Sequence, residues 1–225
     1  MSLLIAGSTG EVGQRLVRNL LVYNLNTPIY AAVRRKTGTQ PPSGLIPFVV
    51  DFNHLLDSKP ELNTPSPTVA ICCLGTTIKN AGNLEAFRKV DLDYVVNFAV
   101  FAKKLGITQF MVISSIGANS DSGNQYLQTK GEMEDRVSEL GFEAIAFIEP
   151  SLLVGNRKEF RLGEKLGGLA SGMLSPLLIG PLRKYRPIPM DTVAKAMAQL
   201  STNMKPGIHK IRYNDLVKLA KAEAN

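Results

Sequence analysis

Tyr126 and Lys130 stand four residues apart in Gln125 to Leu140, a stretch with helical spacing of its apolar residues, so both side chains leave one face of a helix a turn apart. A tyrosine titrating near about 10 is a poor acid or base at neutral pH, but a neighbouring ammonium favours its phenolate and brings it closer to the working range. Of the six tyrosines only Tyr126 has a lysine at the fourth position after it. Ser114 and Ser115 end an apolar run shortly before, where a hydroxyl can hold a substrate carbonyl oxygen. Alone, a Tyr/Lys pair is more often surface decoration. Its position downstream of a phosphate-binding loop turns the reading to proton transfer at a carbonyl.

That loop is Gly7-Ser8-Thr9-Gly10-Glu11-Val12-Gly13, between the apolar run Leu3 to Ala6 and the amphipathic stretch Glu11 to Tyr23. Strand, glycine turn and helix in this order cradle a dinucleotide pyrophosphate: Gly7 permits the turn, Gly10 lets phosphate reach the backbone, and Gly13 lets helix and strand pack, while the helix start offers free N–H groups. The Glu11 carboxylate suits the helix dipole but sits uneasily against pyrophosphate unless it points outward. About 20 residues downstream, many NAD sites carry an acidic residue that reads the ribose hydroxyls. Here the chain reads Val33-Arg34-Arg35-Lys36. Two guanidinium groups can clamp a 2′-phosphate, which favours NADP(H) over NAD(H), the bland alternative being a solvated basic turn.

The elements that must position these groups follow from the same chain. Strand-like runs at Leu3–Ala6, Ile29–Val33, Leu45–Val50, Thr68–Leu74, Phe110–Ile113 and Ala144–Ile148 alternate with helical stretches at 11–23, 84–105 and 125–140. Helices at Lys158–Leu169, Asp191–Leu200 and Asn214–Ala222 complete the reading. This alternation predicts an α/β fold: a Rossmann-like, doubly wound parallel sheet in one domain over 1–225, with 151–225 contributing a small substrate-side lobe.

Composition bounds the rest. The 225 residues, 44% hydrophobic and 20% charged, suit a globular chain that buries a core without disulfides or metals. Cys72 and Cys73 are adjacent and poorly placed to bridge each other, and with two histidines a metal centre has little to be built from, which points to a reducing, cytoplasmic setting. The opening residues carry no signal-peptide pattern. The uncharged run Leu166–Leu182 is broken by Gly and Pro, which argues against a transmembrane span. Of the net charge of +7, the excess lies after residue 156, with 13 Lys/Arg against 5 Asp/Glu. Basic residues run no longer than three and lack interleaved aromatics, so nucleic acid is not an expected partner.

Gly7-x-x-Gly10-x-x-Gly13, Ser114-Ser115 and Tyr126-x-x-x-Lys130 resemble the short-chain dehydrogenases/reductases of the extended or atypical branch. Cys73-Leu74-Gly75-Thr76-Thr77, Val90-Asp91-Leu92-Asp93-Tyr94-Val95, Ser114-Ser115-Ile116-Gly117-Ala118 and Tyr126-Leu127-Gln128-Thr129-Lys130-Gly131-Glu132 more closely resemble the Tat-interacting-protein oxidoreductases and their bacterial relatives. The resemblance covers residues 3 to 165 well. It implies Tyr126 as acid/base, Lys130 as its partner and ribose binder, and Ser115 as carbonyl binder with Ser114 behind it. It further implies Asp51 and Phe52 near the adenine, Leu74, Gly75 and Thr76 beside the middle of the cofactor, and Pro150 and Leu152 near the nicotinamide. Two departures stand out: the C-terminal lobe is small, and the asparagine that often completes the proton relay has no clear equivalent, Asp91 or Asn97 occupying that neighbourhood.

The expectation is an NADPH-dependent reductase of a small carbonyl substrate, an anionic one on the reading that the basic residues after 156 attract it, in a chain that can form a homo-oligomer. The alternatives are an NADPH-binding regulator or sensor with little turnover, and an epimerase or dehydratase of nucleotide sugars. Leu166–Leu182, beside Arg183-Lys184-Tyr185-Arg186, is expected to act as a lid, with an oligomer contact or a lipid attachment as the other readings.

Overall fold

Leu3–Ala6 (β1) is buried along its whole length, as expected of a parallel strand covered on both faces. The computed structural model describes residues 2–23, 27–35, 38, 40–60, 62, 66–155 and 179–222. Within them β1 leads through the glycine loop into α1 (Glu11–Tyr23), followed by β2 (Ile29–Val33), β3 (Leu45–Val49) and β4 (Val69–Cys72). A short α2 (Ile78–Ala81) precedes α3 (Leu84–Arg88), a π turn (Lys89–Asp93) and α4 (Tyr94–Lys104). Then come β5 (Gln109–Ile113), α5 (Gln125–Ser138) and β6 (Ala144–Ile148). Two-residue strands β7 (Leu153–Val154) and β8 (Ile188–Pro189) pair with each other, and α6 (Met190–Leu200), β9 (Gly207–Ile211) and α7 (Tyr213–Lys221) complete the chain.

The main sheet has the order β3-β2-β1-β4-β5-β6-β9, every neighbouring pair parallel. This is the doubly wound order with its reversal between β1 and β4. Successive side chains of a strand point to opposite faces. Accordingly Leu4 and Ala6 join a core shared with Val95, Phe98, Ala102, Met133 and Val137 of α4 and α5. Leu3 and Ile5 join the opposite core with Leu16 and Leu20 of α1 and Val193 and Met197 of α6.

Two differences from the sequence reading have physical causes. The single helix over 84–105 is interrupted by the π turn, which widens one turn and buries the consecutive residues Asp91 and Leu92. The seventh strand, β9, is an edge strand with the half-exposed pattern of Gly-Ile-His-Lys-Ile, so no apolar run announces it. Residues 190–221, assigned from sequence to a substrate-side lobe, thus supply the last strand of the sheet and two of its covering helices. The helix expected at Lys158–Leu169 and most of the Leu166–Leu182 lid lie outside the described residues; the end of that run begins a 3-10 turn, Gly180–Tyr185.

β9 is held by charge. Lys210 Nζ lies 2.7 Å from Glu134 Oε2 on α5 and 3.2 Å from Glu149 Oε1 just after β6, and Arg212 Nε donates to Glu149 Oε2 at 2.7 Å. The carboxylates are nearly inaccessible, at 5% and 1% side-chain exposure, while Lys210 reaches solvent at 44%. Ser114, just past β5, donates its hydroxyl hydrogen bond to Glu134 Oε1, so the cluster also anchors the chain entering the site. Burial is the largest influence on Glu134 and raises its carboxyl above the ordinary range, against the pull of Lys210 and Ser114. Lys210→Met should therefore destabilise the fold by about 3 kcal/mol, the low end for removing one partner of a buried pair because Lys210 is partly solvated. Chemical denaturation against the parent checks this, with Lys210→Arg expected to retain most of the stability.

Candidate active site

The cleft opens where the strand order reverses. Gly7 has φ +80°, a left-handed conformation favouring glycine, and a β-carbon there would stand 2.5 Å from the carbonyl carbon of Cys73. At Gly13 a β-carbon would meet the Gly7 carbonyl oxygen at 2.1 Å. The fold itself therefore demands two of the three glycines, the first for the β1–β4 approach and the last for helix-to-loop packing. Gly10 differs: a β-carbon there would meet nothing nearer than 3.4 Å, and Gly10 lines open space together with Glu11 and Val12. The Glu11 carboxylate is drawn aside by Arg15, whose guanidinium lies 2.7 Å from Glu11 Oε2 and 3.1 Å from Asp191 Oδ1. The loop is thus shaped for an anion, and its one acidic side chain already has a cation beside it.

On the far wall stands α5. Asn124 caps it, its Oδ1 accepting from the backbone N–H of Tyr126 at 3.0 Å and of Leu127 at 3.2 Å. Gly131, mid-helix, lies so close to the 117–120 loop that a β-carbon would come within 2.1 Å of the Ser120 nitrogen. This tight approach brings Tyr126 and Lys130 to the end of β5. Tyr126 stacks on Phe87, ring centroids 5.5 Å apart, and the nearby Ser115 hydroxyl donates to the Ile116 carbonyl at 3.4 Å. Lys130, 3% exposed, places Nζ 2.7 Å from Asp91 Oδ1 and donates to the Ile113 carbonyl at 3.3 Å. Asp91, 1% exposed, accepts the Thr76 backbone N–H on Oδ2 at 2.8 Å.

These contacts correct one expectation. Lys130 does pull Tyr126 toward ionisation, but burial of the phenol is the larger influence and Asp91 adds to it, so Tyr126 titrates above its ordinary value. For Lys130, burial opposes the charge, yet Asp91 and Tyr126 outweigh it and hold the ammonium above its ordinary range. The pair at neutral pH is phenol and ammonium, a proton donor with a cation beside it.

The cleft, roughly 760 Å³ of open space, is lined by Gly10 to Val12, Cys73 to Thr77, Asp91, Ser114, Tyr126, Lys130, Pro150 and Leu153. The structure thus brings together the glycine loop, Leu74, Gly75 and Thr76, Ser114, Tyr126, Lys130 and Pro150. Leu153 faces the cleft where Leu152 was expected; the Leu152 carbonyl accepts instead from the Ile188 N–H. Ser8 is buried and Thr9 gives its carbonyl to the Gln14 side chain. Arg34 and Arg35 are exposed just beyond β2. Asp51 is exposed beyond β3, its Oδ1 accepting from Asn53 and its Oδ2 2.9 Å from His54 Nδ1, contacts that hold its carboxyl below the usual range. Phe52 is buried in the core against Tyr94, leaving its backbone rather than its ring for a ligand. Cys72 is buried, its thiol pushed up to about 12, and Cys73 is likewise raised by burial. Among the described residues no acidic, thiol or imidazole cluster fits a metal ion, and no helix is long and apolar enough to cross a membrane.

Asp91 was the residue that the site needed and sequence reasoning left unassigned. Its signal was on the page: Phe87, Asp91, Val95, Phe98 and Ala102 form one buried stripe, and a lone carboxylate among apolar residues on it calls for a partner. Asn97, the other candidate for that place, lines a separate depression with Asn53, Lys89, Tyr94 and Arg136.

No family model matches the chain. It is 35% identical over 208 residues to Protein HTATIP2 of Rattus norvegicus, covering 92% of this chain and 82% of that one. It is 30% identical over 236 residues to Protein FMP52, mitochondrial, of Candida albicans, covering 98% of both. Among solved structures it superposes with TM-score 0.65 on MoeE5 in complex with UDP-glucose and NAD, at 13% identity over 98% of this chain and 81% of that one. The oxidoreductase ylbE of Lactococcus lactis gives TM-score 0.65 at 18% identity, over 97% and 95%. The structural likenesses show a shared Rossmann-like fold, and the sequence likeness shows kinship: the chain belongs to the HTATIP2 family.

Proposed function

We propose that the protein is an NADPH-dependent reductase of a small carbonyl compound. The reading rests on one observation above the others: Tyr126, a phenol held protonated by burial, opens on the same cleft as the glycine loop, with the Lys130 ammonium one helical turn away. The residues fit a dinucleotide phosphate. The backbone at Gly10 to Val12 lines open space that a pyrophosphate would fill, Arg34 and Arg35 would take a 2′-phosphate, Asp51 and the Phe52 backbone would meet the adenine end, and Leu74 to Thr76 would line the path between. Lys130 would reach the ribose, with Pro150 and Leu153 at the nicotinamide end. When bound, the nicotinamide supplies the hydride to the carbonyl carbon.

The chain's own residues do the remainder. Ser115 would orient the carbonyl oxygen, with Ser114 behind it. Tyr126 gives its hydroxyl proton to that oxygen as the carbon–hydrogen bond forms, and Lys130 stabilises the phenolate left behind. Arg183 and Lys184, on the 3-10 turn, add positive charge on the C-terminal side, which favours an anionic substrate. Free thiols at Cys72 and Cys73 fit a reducing compartment. The cytoplasm is our reading, and the mitochondrial designation of the fungal relatives makes the mitochondrion its rival.

Replacing Arg34 by Asp and Arg35 by Ala should weaken NADPH binding about 10- to 100-fold, the worth of one or two charge-assisted hydrogen bonds, and leave NADH binding nearly unchanged. Isothermal titration checks it; unaltered NADPH affinity would reduce the basic pair to a solvated turn. Tyr126→Phe should lower turnover of any reduced carbonyl about 10²- to 10⁴-fold with NADPH affinity within a few-fold of the parent. Because burial and Asp91 raise the phenol, wild-type reduction should hold level from neutral pH to about pH 10 and fall only as Tyr126 loses its proton. A pH–rate profile that declines already near neutrality would remove Tyr126 from the donor role. Binding of NADPH without turnover across a broad carbonyl panel would favour the regulatory reading.

A further inference from the structure

Glu134 is a buried charge on α5 for which proton transfer at Tyr126 has no use. Tyr126, Lys130 and Glu134 follow one another at four-residue intervals, so all three leave one face of the helix. Opposite that face runs the end of β5. Phe110 and Val112 send their side chains into the core shared with α4 and α5, and Met111 into the other core. The parallel ladder continues past Ile113: the Ser114 N–H donates to the Ile148 carbonyl at 2.7 Å and the Ile116 N–H to the Pro150 carbonyl at 3.0 Å. Alternation therefore turns the Ser114 side chain toward α5. There its hydroxyl donates to Glu134 Oε1, while Lys210 Nζ holds Glu134 Oε2 at 2.7 Å. Glu134 and Glu149 face two cations, Lys210 and Arg212, a balanced set in which Glu134 serves as a carboxylate. A carboxylate only accepts, so the one proton of the Ser114 hydroxyl is spent on Glu134 and its oxygen keeps only lone pairs to offer. Among the described residues no hydrogen bond is directed onto that oxygen.

Ser114 lines the cleft together with Tyr126 and Lys130. The Ile113 carbonyl, in the same peptide unit as the Ser114 N–H, accepts from Lys130 Nζ at 3.3 Å, which puts Ser114 beside the lysine and a helical turn from Tyr126. We propose that Glu134 is a positioning residue of this site and Ser114 a specificity residue: with its proton turned to Glu134, Ser114 offers the cleft an acceptor, and the substrate is a carbonyl compound that carries a hydroxyl or N–H donor close to the reacting carbonyl. The inference rests on the reductase reading and adds the substrate class to it. A hydroxyl that cannot donate cannot steady a carbonyl oxygen or a developing alkoxide, so that task falls to Ser115 and Tyr126. A substrate with only acceptors at this place would set its lone pairs against those of Ser114, whose residue is 3% exposed and has little water to turn to. A site built around one hydrogen bond rejects the analogue that lacks it, because a buried polar group is then left unpaired. The edge-strand clamp gains a second use here, since the Lys210 ion pair at Oε2 keeps Oε1 turned to Ser114.

Two measurements test it. With NADPH, kcat/KM is measured for hydroxyacetone, which has a donor beside its carbonyl, and for methoxyacetone, in which the same oxygen only accepts; comparing the ratio of the two between variants cancels their difference in intrinsic reactivity. The parent should prefer hydroxyacetone, and Ser114→Ala should lower the ratio about 3- to 10-fold, the worth of one hydrogen bond. In Glu134→Gln the amide oxygen stays with Lys210 and the amide nitrogen turns to Ser114, donating to its oxygen and releasing the serine proton to the cleft, so the ratio should drop below that of Ser114→Ala. An unchanged ratio in Ser114→Ala would overturn the proposal. So would a parental ratio in folded Glu134→Gln, since a merely structural glutamate would affect both substrates alike. Should Glu134→Gln not fold, Ser114→Ala, which leaves the Glu134–Lys210 ion pair in place, decides. The second measurement needs neither cofactor nor substrate and so separates failure of this proposal from failure of the reductase reading. Neutron diffraction from deuterium-exchanged crystals of the parent should show a deuteron on Ser114 Oγ aimed at Glu134 Oε1. A deuteron aimed into the cleft, or one carried by Glu134 instead, would overturn the assignment even in a chain that reduces carbonyls; the expected deuteron in a chain that reduces none would support the polarity of Ser114 and overturn the reductase reading.

Discussion

A buried ammonium must have a counter-charge. Taking an ion of that size from water into a low-dielectric interior costs several kcal/mol even after the surroundings relax, so Lys130 at 3% exposure can stay charged only beside an anion fixed in place. Asp91 is that anion, and much of the local architecture serves the meeting. The π turn swings Asp91 inward, Asn124 starts α5 at the right residue, Gly131 lets α5 press onto the 117–120 loop, and the Thr76 N–H occupies the second carboxylate oxygen. A change to any of these would leave a buried charge short of its partner.

A second buried charge group flanks the same strand end. Glu134 and Glu149, closed by Lys210 and Arg212, fasten the edge strand β9 and hold Ser114 by its hydroxyl. The two groups differ in use. Lys210 and Arg212 keep 44% and 46% of their side chains in solvent, so that cluster is a clamp with a wet rim. The Asp91–Lys130 pair is dry and opens only onto the cleft, where its field falls on Tyr126. Their division of labour also separates the serines: Ser114 is tied to the clamp, while Ser115 donates only to the neighbouring Ile116 carbonyl.

Much of this was legible in the chain. Fully buried parallel strands read as short apolar runs, so β1, β2 and β6 fell on the expected residues, and the glycine loop announced the β1–α1 turn because Gly7 and Gly13 are places where no side chain fits. Tyr126 and Lys130 were read from their helical spacing together with the glycine loop upstream. What stayed hidden was non-local or irregular. β9 is polar because it pairs on one side only and uses Lys210 for an ion pair rather than for packing. The π turn has no period of its own, and the partner of Lys130 lies 39 positions earlier, a separation that no motif spacing reveals. The sign of the Tyr126 shift was missed for the same cause: the nearby lysine was in view, but burial and Asp91 were not.

A crystal structure of the protein with NADP⁺ bound tests the central claim most directly. The account predicts density for the pyrophosphate on the backbone amides of Gly10 to Val12, the 2′-phosphate beside Arg34 and Arg35, the ribose within reach of Lys130, and the nicotinamide between Pro150 and the Tyr126 hydroxyl. A dinucleotide lying elsewhere, or one in this cleft with its nicotinamide turned away from Tyr126, would contradict it.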